Sequence, residues 1–124
     1  MRVLMVDDDE DAVLLTSFLL EHQGWEVVAA GDGAEARTKA EQGPFDLVLL
    51  DYLLPDGDGR DLFQALRKEG LRSPVVFLTG REEPGLEQNL RNLGALGLIA
   101  KPFDPERLVP DLRNLLRRLP AESP

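Results

Sequence analysis

Short apolar runs alternate along the chain with stretches in which apolar residues recur at helical spacing. The apolar runs predict β-strands over residues 2–6, 26–29, 46–50, 74–78 and 98–100. The stretches between them predict helices over residues 11–23, 33–43, 60–69, 83–93 and 105–119, with glycine or proline near most of the boundaries. The pattern therefore predicts five strand–helix units in succession.

The predicted strands are continuously apolar, which indicates that both faces of each strand are buried, as in a parallel sheet. Five strand–helix units in 124 residues predict an α/β fold, a doubly wound five-stranded parallel sheet between two layers of helices. We therefore expect a (βα)5 arrangement, a three-layer sandwich. We expect one domain over residues 1–119 and interpret residues 120–124 (PAESP) as a linker or a disordered tail.

Composition and charge narrow the classes of function. A net charge of −9 argues against direct binding to nucleic acid, which requires a basic face. The absence of cysteine excludes disulfides, zinc–thiolate sites and thiol nucleophiles. No apolar run approaches the roughly 20 residues that span a bilayer, and no secretory signal is visible. We therefore expect a cytoplasmic protein that contacts neither membranes nor nucleic acid directly.

Polar side chains stand at the ends of four predicted strands. Asp7 and Asp8 follow the first strand, Asp51 the third, Thr79 the fourth and Lys101 the fifth. Taken singly, such an aspartate is typical of a helix N-cap, the threonine of a local hydrogen bond and the lysine of an exposed side chain. However, ligands of open parallel sheets bind beyond the carboxyl ends of the strands. The joint occurrence of these residues at one edge therefore indicates a site.

The chemistry that this set supports is phosphoryl transfer to a carboxylate. Asp51 follows four apolar residues, so its position should be rigid, and a carboxylate can act as the nucleophile. Three aspartates beside a phosphoryl group require a cation, and oxygen ligands without histidine or cysteine favour Mg²⁺. The ammonium of Lys101 and the hydroxyl of Thr79 can contact phosphoryl oxygens.

Four motifs, LMVDDDE, LVLLDYLLPDGDG, VVFLTG and IAKPF, occur in an order and at separations that resemble the receiver domain of two-component response regulators, the CheY-like family. The resemblance covers residues 2–119. It implies that Asp51 is the phosphoacceptor. It also implies that Asp8, Asp51 and the backbone carbonyl of Leu53 ligate Mg²⁺, for which Mn²⁺ can substitute, while Asp7 acts through a bound water.

The resemblance assigns the phosphate-contact and switch roles to Thr79, Gly80 and Lys101, and it implies that the peptide bond before Pro102 is cis. The expected phosphodonor is a sensor histidine kinase or a phosphotransfer protein. Phosphorylation would change the surface of the fourth helix, fifth strand and fifth helix, which would then regulate a downstream partner or a missing effector domain. Such a switch catalyses only its own phosphorylation and dephosphorylation, and a phosphorylation-dependent homodimer is one expected output.

Three features depart from the family pattern. The switch position that is commonly aromatic is Leu98 here, and Leu96-Gly97 replaces a pair of acids used in a charged dimer interface. Leu96, Leu98 and Ile99 then form an apolar partner-binding patch near the fourth helix, fifth strand and fifth helix, or else Leu96 and Ile99 are core residues. Gly57 replaces a bulkier residue in the turn after Pro55.

Leu53 and Arg81 flank the path to the phosphoryl group. We interpret them as residues that set its lifetime by controlling the access of water.

Two other functions remain open from the sequence. An aspartate-nucleophile phosphatase of the haloacid-dehalogenase type would use Asp7, but Asp11 stands where its signature expects threonine or valine. A pseudo-receiver would bind partners without being phosphorylated, although the chain carries all five chemical residues. A flavodoxin-like flavin site would need a hydroxyl- and glycine-rich loop where this chain has acids.

Overall fold

The structure, a computed structural model, describes residues 1–81 and 83–119. The main sheet contains the five strands β1 Arg2–Val6, β2 Glu26–Ala30, β3 Leu47–Asp51, β4 Val75–Thr79 and β5 Gly97–Ala100. All neighbouring strands are parallel, in the order β2-β1-β3-β4-β5. The five helices are α1 Glu10–Glu21, α2 Gly33–Ala40, α3 Gly59–Lys68, α4 Leu86–Asn92 and α5 Pro105–Leu116. The predicted doubly wound parallel fold is confirmed, while the predicted tail at residues 120–124 lies outside the described residues.

Side chains from alternate strand positions form two cores, one on each face of the sheet. Leu4, Val48 and Leu50 face α2, α3 and α4, whereas Val3 and Leu49 face α1 and α5. β1, β3 and β4 are buried at almost every position because helices cover both of their faces. This double burial explains the continuous apolar runs in the sequence and holds the ends of the strands rigidly.

Aspartates begin most of the helices. Asp9, Asp32, Asp58 and Asp104 each accept a backbone N–H of the first turn, at α1, α2, α3 and α5 respectively. α4 differs, because its N-cap is Gly85 at φ +81°, without a side-chain cap. Pro84-Gly85 therefore delays this helix to Leu86, three residues after the predicted start.

The loop after β3 contains a short antiparallel ladder that the sequence pattern did not predict. Leu53–Leu54 pairs with Gly57–Asp58, and Gly57 turns the chain at φ +153°. Gly59 follows, and a Cβ atom at that position would lie 2.5 Å from the carbonyl oxygen of Asp51. Only glycine allows the start of α3 to approach the end of β3 this closely.

The apolar residues of β5 belong to the cores rather than to an exposed patch. Ile99 is buried, and the half-buried Leu96 packs against the same core on the α1–α5 face. Leu98 packs against the opposite core. A Cβ atom on Gly97 would lie 2.6 Å from Cδ2 of Leu115, so any larger residue at this position would require the Leu115 side chain to move. Within the described residues, no helix has the length and apolar character needed to cross a membrane.

Candidate functional site

Hydrogen bonds of the sheet continue past the strand ends and fix the residues that come directly after them. The amide of Asp7 donates to the carbonyl of Ala30 at 3.0 Å. The amide of Lys101 donates to the carbonyl of Thr79 at 2.8 Å. Asp51 is itself the last residue of β3 and pairs with Leu78. The four strand ends thus bring the predicted residues to one edge with their backbones held.

Three carboxylates converge at this edge. One oxygen from each of Asp7, Asp8 and Asp51 lies within 4.8 Å of the others. Asp7 is buried and Asp51 nearly so, whereas Asp8 is exposed. Asp9 does not join them, because its side chain caps α1 through the amide of Asp11 at 3.0 Å. The sequence thus separates into acids that form the site and acids that start a helix.

Lys101 supplies positive charge to these acids. Its ammonium pairs with Oδ2 of Asp7 and lies 3.3 Å from Oδ2 of Asp51. Burial opposes this charge, but the hydrogen bond to Asp7 and the charges of Asp51 and Asp7 raise the pKa of Lys101 above its ordinary value. Three carboxylates and one ammonium leave a net charge of −2 when all four groups are ionised.

The crowding of negative charge changes the pKa of Asp51. Burial, and secondarily the charge of Asp7, raises the pKa of Asp51 to about 6, although Lys101 lowers it in part. Asp51 is therefore mostly ionised at neutral pH, although burial and the charge of Asp7 disfavour its ionised form. An additional cation would stabilise that ionised form.

The donor set fits a hard divalent cation. Carboxylate oxygens without nitrogen or sulfur ligands favour Mg²⁺ or Mn²⁺ over zinc or copper. The exposure of Asp8 leaves the cluster open to solvent on one side. Mg²⁺ commonly retains several waters when it binds to proteins, so an open site of this kind suits it.

The other predicted residues surround the acids. Thr79 is buried, and its Oγ1 accepts the amide of Arg81 at 3.1 Å. A Cβ atom on Gly80 would lie 3.9 Å from the carbonyl oxygen of Lys101, which places Gly80 beside that residue. Arg81 itself is exposed. The peptide bond between Lys101 and Pro102 is cis.

Leu53 contacts Asp51 through its backbone. Its amide lies 3.4 Å from Oδ1 of Asp51 and donates to it, and its side chain is half exposed. Leu98 pairs with Phe77 in the parallel ladder. The rings of Phe77 and Tyr52 pack edge to face, with their centres 6.3 Å apart. An aromatic pair therefore lies next to the leucine that departs from the family pattern.

Two contacts near Asp51 were not foreseen from the sequence. The hydroxyl of Tyr52 accepts a hydrogen bond from Arg60 at 3.2 Å, and the carboxylate of Asp56 reaches the start of α2. Both depend on which helix end faces the loop after β3. An acid in a Pro-Asp-Gly turn was the only available signal, and it indicates a turn rather than a partner.

Comparison with known proteins gives the same family as the motifs. Residues 3–113 match the family described as the response regulator receiver domain. The chain is 38% identical to the alkaline phosphatase synthesis transcriptional regulatory protein PhoP of Bacillus subtilis, over 99% of this chain and 51% of that protein. It is also 38% identical to the transcriptional regulatory protein TrcR of Mycobacterium tuberculosis, over 94% of this chain and 46% of that protein. The chain spans about half the length of these relatives.

Solved structures share the fold. A two-component response regulator from Clostridium difficile superposes with a TM-score of 0.87 at 30% identity, covering 95% of this chain and 97% of that one. The chemotaxis protein CheY4 of Vibrio cholerae gives a TM-score of 0.84 at 34% identity, covering 92% and 97% respectively. The chain therefore belongs to the response regulator receiver domain family.

Proposed function

We propose that Asp51 accepts a phosphoryl group from a sensor histidine kinase or a phosphotransfer protein, and that the resulting acyl phosphate switches the domain. One observation carries this proposal. Asp51 ends a fully buried strand, and its carboxylate lies within reach of two further aspartates and of the Lys101 ammonium. The curated relatives above are named as transcriptional regulators, which supports a signalling role rather than a phosphatase.

The transfer uses these groups directly. An oxygen of the ionised Asp51 attacks phosphorus, the bond between phosphorus and the donor nitrogen breaks, and the nitrogen keeps the electron pair. Lys101 lies 3.3 Å from that carboxylate and can follow one of the phosphoryl oxygens. We assign Asp8, Asp51 and the carbonyl of Leu53 as direct ligands of Mg²⁺, with Asp7 contributing through water. When bound, the ion supplies positive charge that neutralises the phosphoryl oxygens.

The switch would start from two residues that the acyl phosphate attracts. Thr79 is buried with its hydroxyl accepting from Arg81, and Lys101 is shared between two carboxylates. New contacts from Thr79, Gly80 and Lys101 to the phosphoryl group would bias β4 and β5, and through them the α4–β5–α5 surface. We propose that this surface regulates a downstream partner or an effector domain attached beyond residue 119. Residues 1–119 would then act as the receiver and residues 120–124 as a linker.

The exposed face of α1 fits the docking of a phosphodonor. Leu14 and Phe18, one helical turn apart, are 69% and 68% exposed, and Leu53 beside Asp51 is 50% exposed. α1 contains acidic residues in its first turn and no basic residue in its last turn. A donor surface with apolar side chains and basic flanks would complement it.

Several finer assignments stay predictions. A cytoplasmic location and a phosphorylation-dependent homodimer are two of them. The roles of Leu53 and Arg81 in the lifetime of the phosphoryl group are another. Dephosphorylation that proceeds at the same rate in Leu53→Asn and Arg81→Ala would remove that role.

The test uses a small acyl phosphate as donor, so that no kinase need be known. Purified protein is incubated with acetyl phosphate and Mg²⁺, and intact mass is followed with time. We expect one added phosphoryl group in the wild type and in the control Asp111→Asn, which removes an acid from α5. We expect none in Asp51→Asn and none after chelation of the metal. Absence of any added mass in the wild type would favour the pseudo-receiver, and turnover of a phosphate monoester that depends on Asp7 but not Asp51 would favour the phosphatase.

A further inference from the structure

The loop after the phosphoacceptor strand is hydrogen-bonded to the start of α2. Oδ1 of Asp56 accepts the amide of Gly33 at 2.8 Å, and Oδ2 accepts the amide of Ala34 at 3.0 Å. The two oxygens of one carboxylate thus accept hydrogen bonds from two successive backbone N–H groups at the start of α2. Gly33 and Asp56 are 23 residues apart in sequence. We call this pair of hydrogen bonds the Asp56 clamp.

The clamp is distinct from the ordinary cap of α2. Asp32 is the N-cap residue, and its Oδ1 accepts the amide of Glu35 at 2.7 Å. The helix would therefore have a side-chain cap without Asp56. The hydrogen bonds from Gly33 and Ala34 lower the pKa of Asp56, so its carboxylate is ionised at neutral pH.

The start of α2 is shaped to receive this carboxylate. A Cβ atom on Gly33 would lie 3.1 Å from Oδ1 and 3.3 Å from Oδ2 of Asp56. Any larger residue at position 33 would push the carboxylate outwards by a few tenths of an ångström. Glycine at this position therefore allows both amides to be reached at once.

Apart from the packing of Leu54 against the core, few other contacts hold the loop. Its ladder contains only the pairs Leu53 with Asp58 and Leu54 with Gly57. In the part of the chain that the structure describes, the side-chain hydrogen bonds of residues 54–57 to other elements all come from Asp56. The same loop carries Leu53, whose amide donates to the carboxylate of Asp51.

We propose that Asp56 is a positioning residue, whose clamp on α2 holds the loop so that the backbone of Leu53 stays aimed at Asp51. The functional part of this inference rests on the proposed phosphorylation of Asp51. Asp56 acts here through the loop and not on the reacting atoms. Loss of the clamp should loosen the Leu53 backbone, weaken the use of Mg²⁺ and slow phosphorylation.

The experiment compares the two carboxylates at the start of α2. Asp56→Ala and Asp32→Ala each remove an acid that accepts amides of this helix, but only Asp56 belongs to the loop. The first readout is amide hydrogen exchange of the metal-free protein by NMR. The second is the rate of phosphorylation by acetyl phosphate over a range of Mg²⁺ concentrations.

For Asp56→Ala we expect faster exchange at Gly33, Ala34 and Leu53, and about a tenfold rise in the Mg²⁺ concentration that gives half the maximal rate. This is the low end of the range for direct partners of metal ligands, because Asp56 acts on the site through the loop. For Asp32→Ala we expect faster exchange at Glu35. Exchange at Leu53 and the dependence of the phosphorylation rate on Mg²⁺ should stay as in the wild type. Asp56→Asn keeps one acceptor oxygen and should fall between the wild type and Asp56→Ala. Gly33→Ala keeps the carboxylate but displaces it, and should shift both readouts in the direction of Asp56→Ala.

Two results would overturn the inference. One is exchange at Leu53 that is unchanged in Asp56→Ala, and the other is an equal effect of Asp32→Ala and Asp56→Ala on the Mg²⁺ dependence. If the wild type accepts no phosphoryl group, the proposed function fails, but the exchange measurement still decides whether the clamp holds the loop.

Discussion

Lys101 and Arg67 are two half-buried cations near opposite ends of the same sheet, and they are satisfied in different ways. Lys101, after β5, faces the carboxylates of Asp7 and Asp51. Arg67, in the last turn of α3, donates through Nη1 to the carbonyls of Leu71 at 3.0 Å and Ser73 at 2.8 Å. Its guanidinium also lies 4.8 Å from the centre of the Phe63 ring.

The difference separates a cation with neutral partners from a cation of the candidate site, to which we assign a functional role. Arg67 binds neutral groups, and burial together with the charge of Arg72 lowers its pKa. Its partners are fixed and have no reason to change. Lys101 is shared by carboxylates whose total charge exceeds its own, so a metal or a phosphoryl group can redistribute its contacts. A cation among unbalanced charges is therefore the one suited to a switch.

The largest effect on stability is expected for Arg67→Ala. The substitution leaves two loop carbonyls without their donor and removes the packing on Phe63, which should cost about 2–4 kcal/mol of the free energy of unfolding. Chemical denaturation measures this cost. Phosphorylation of the remaining folded protein should be unchanged, because Arg67 is remote from Asp51.

Arg37→Ala is the matched control for that prediction. Arg37 pairs with Glu69 at 2.9 Å, but both side chains are more than one-third exposed. Exposed ion pairs contribute little, so the loss should stay below about 1 kcal/mol. Equal losses in the two variants would contradict the structural role assigned to Arg67.

A smaller effect with the opposite sign is expected for Asp51→Asn in the metal-free protein. The pKa of Asp51 is raised from 3.8 to about 6, so between these values the folded protein binds more protons than the unfolded chain. Wild-type stability contributed by this group therefore falls as pH rises from about 4 to about 6. The asparagine variant lacks this loss and should be more stable at pH 7 by about 1–3 kcal/mol.

Unfolding of both proteins is measured at pH 4 and pH 7. The stability that Asp51→Asn gains over the wild type should be close to zero at pH 4, where the carboxyl group of Asp51 is largely neutral in the folded and unfolded states. Adding Mg²⁺ at pH 7 should stabilise the wild type more than the variant. A gain that is the same at both pH values would show that the crowding of charge is not its cause.

A further effect on stability is expected for Lys101→Met, which keeps the aliphatic stem and removes the charge. The pKa of Lys101 is raised, so its ion pairs stabilise the fold below its ordinary pKa of 10.5 wherever the partner carboxylates are ionised, and this contribution is lost as pH rises through the raised pKa. At pH 7 their removal leaves the buried carboxylates of Asp7 and Asp51 without a cation, which should cost about 3 kcal/mol without metal, and less with Mg²⁺ present. The cost should also shrink as pH falls through about 6, where Asp51 takes up a proton.

Lys101→Met and Arg67→Ala should also differ in how the folded protein responds to phosphorylation. Lys101→Met should still accept a phosphoryl group, but the chemical shifts of α4 and β5 should no longer change on phosphorylation. Arg67→Ala should show the wild-type changes. Wild-type shift changes in Lys101→Met would remove the distinction between the two cations.

The functional edge of the sheet is largely predictable from the sequence. Continuous apolar runs locate the strands, and the rule that ligands bind at their carboxyl ends predicts that Asp7, Asp51, Thr79 and Lys101 lie together. The structure places these residues at one edge. The prediction succeeds because the backbone alone fixes where a strand ends and which residue comes next.

The rest depends on contacts between elements, which carry no periodic signal. A two-residue ladder such as Leu53–Leu54 with Gly57–Asp58 is too short to show alternation. The Asp56 clamp requires knowing that the start of α2 faces the loop. Arg67 reads in sequence as a surface residue late in a helix, and only the path of the chain to β4 brings two carbonyls to it.

The central claim is that Asp51, rather than another acid of the cluster, carries the phosphoryl group. Protein treated with acetyl phosphate and Mg²⁺ can be reduced with borohydride, which converts an aspartyl phosphate to homoserine, and then digested with trypsin for sequencing by mass spectrometry. Cleavage after Lys39 and Arg60 isolates Asp51 in residues 40–60, whereas Asp7 and Asp8 fall in residues 3–37. We expect homoserine at position 51 and unmodified aspartate at positions 7 and 8. Homoserine at position 7 or 8, with position 51 unchanged, would contradict it.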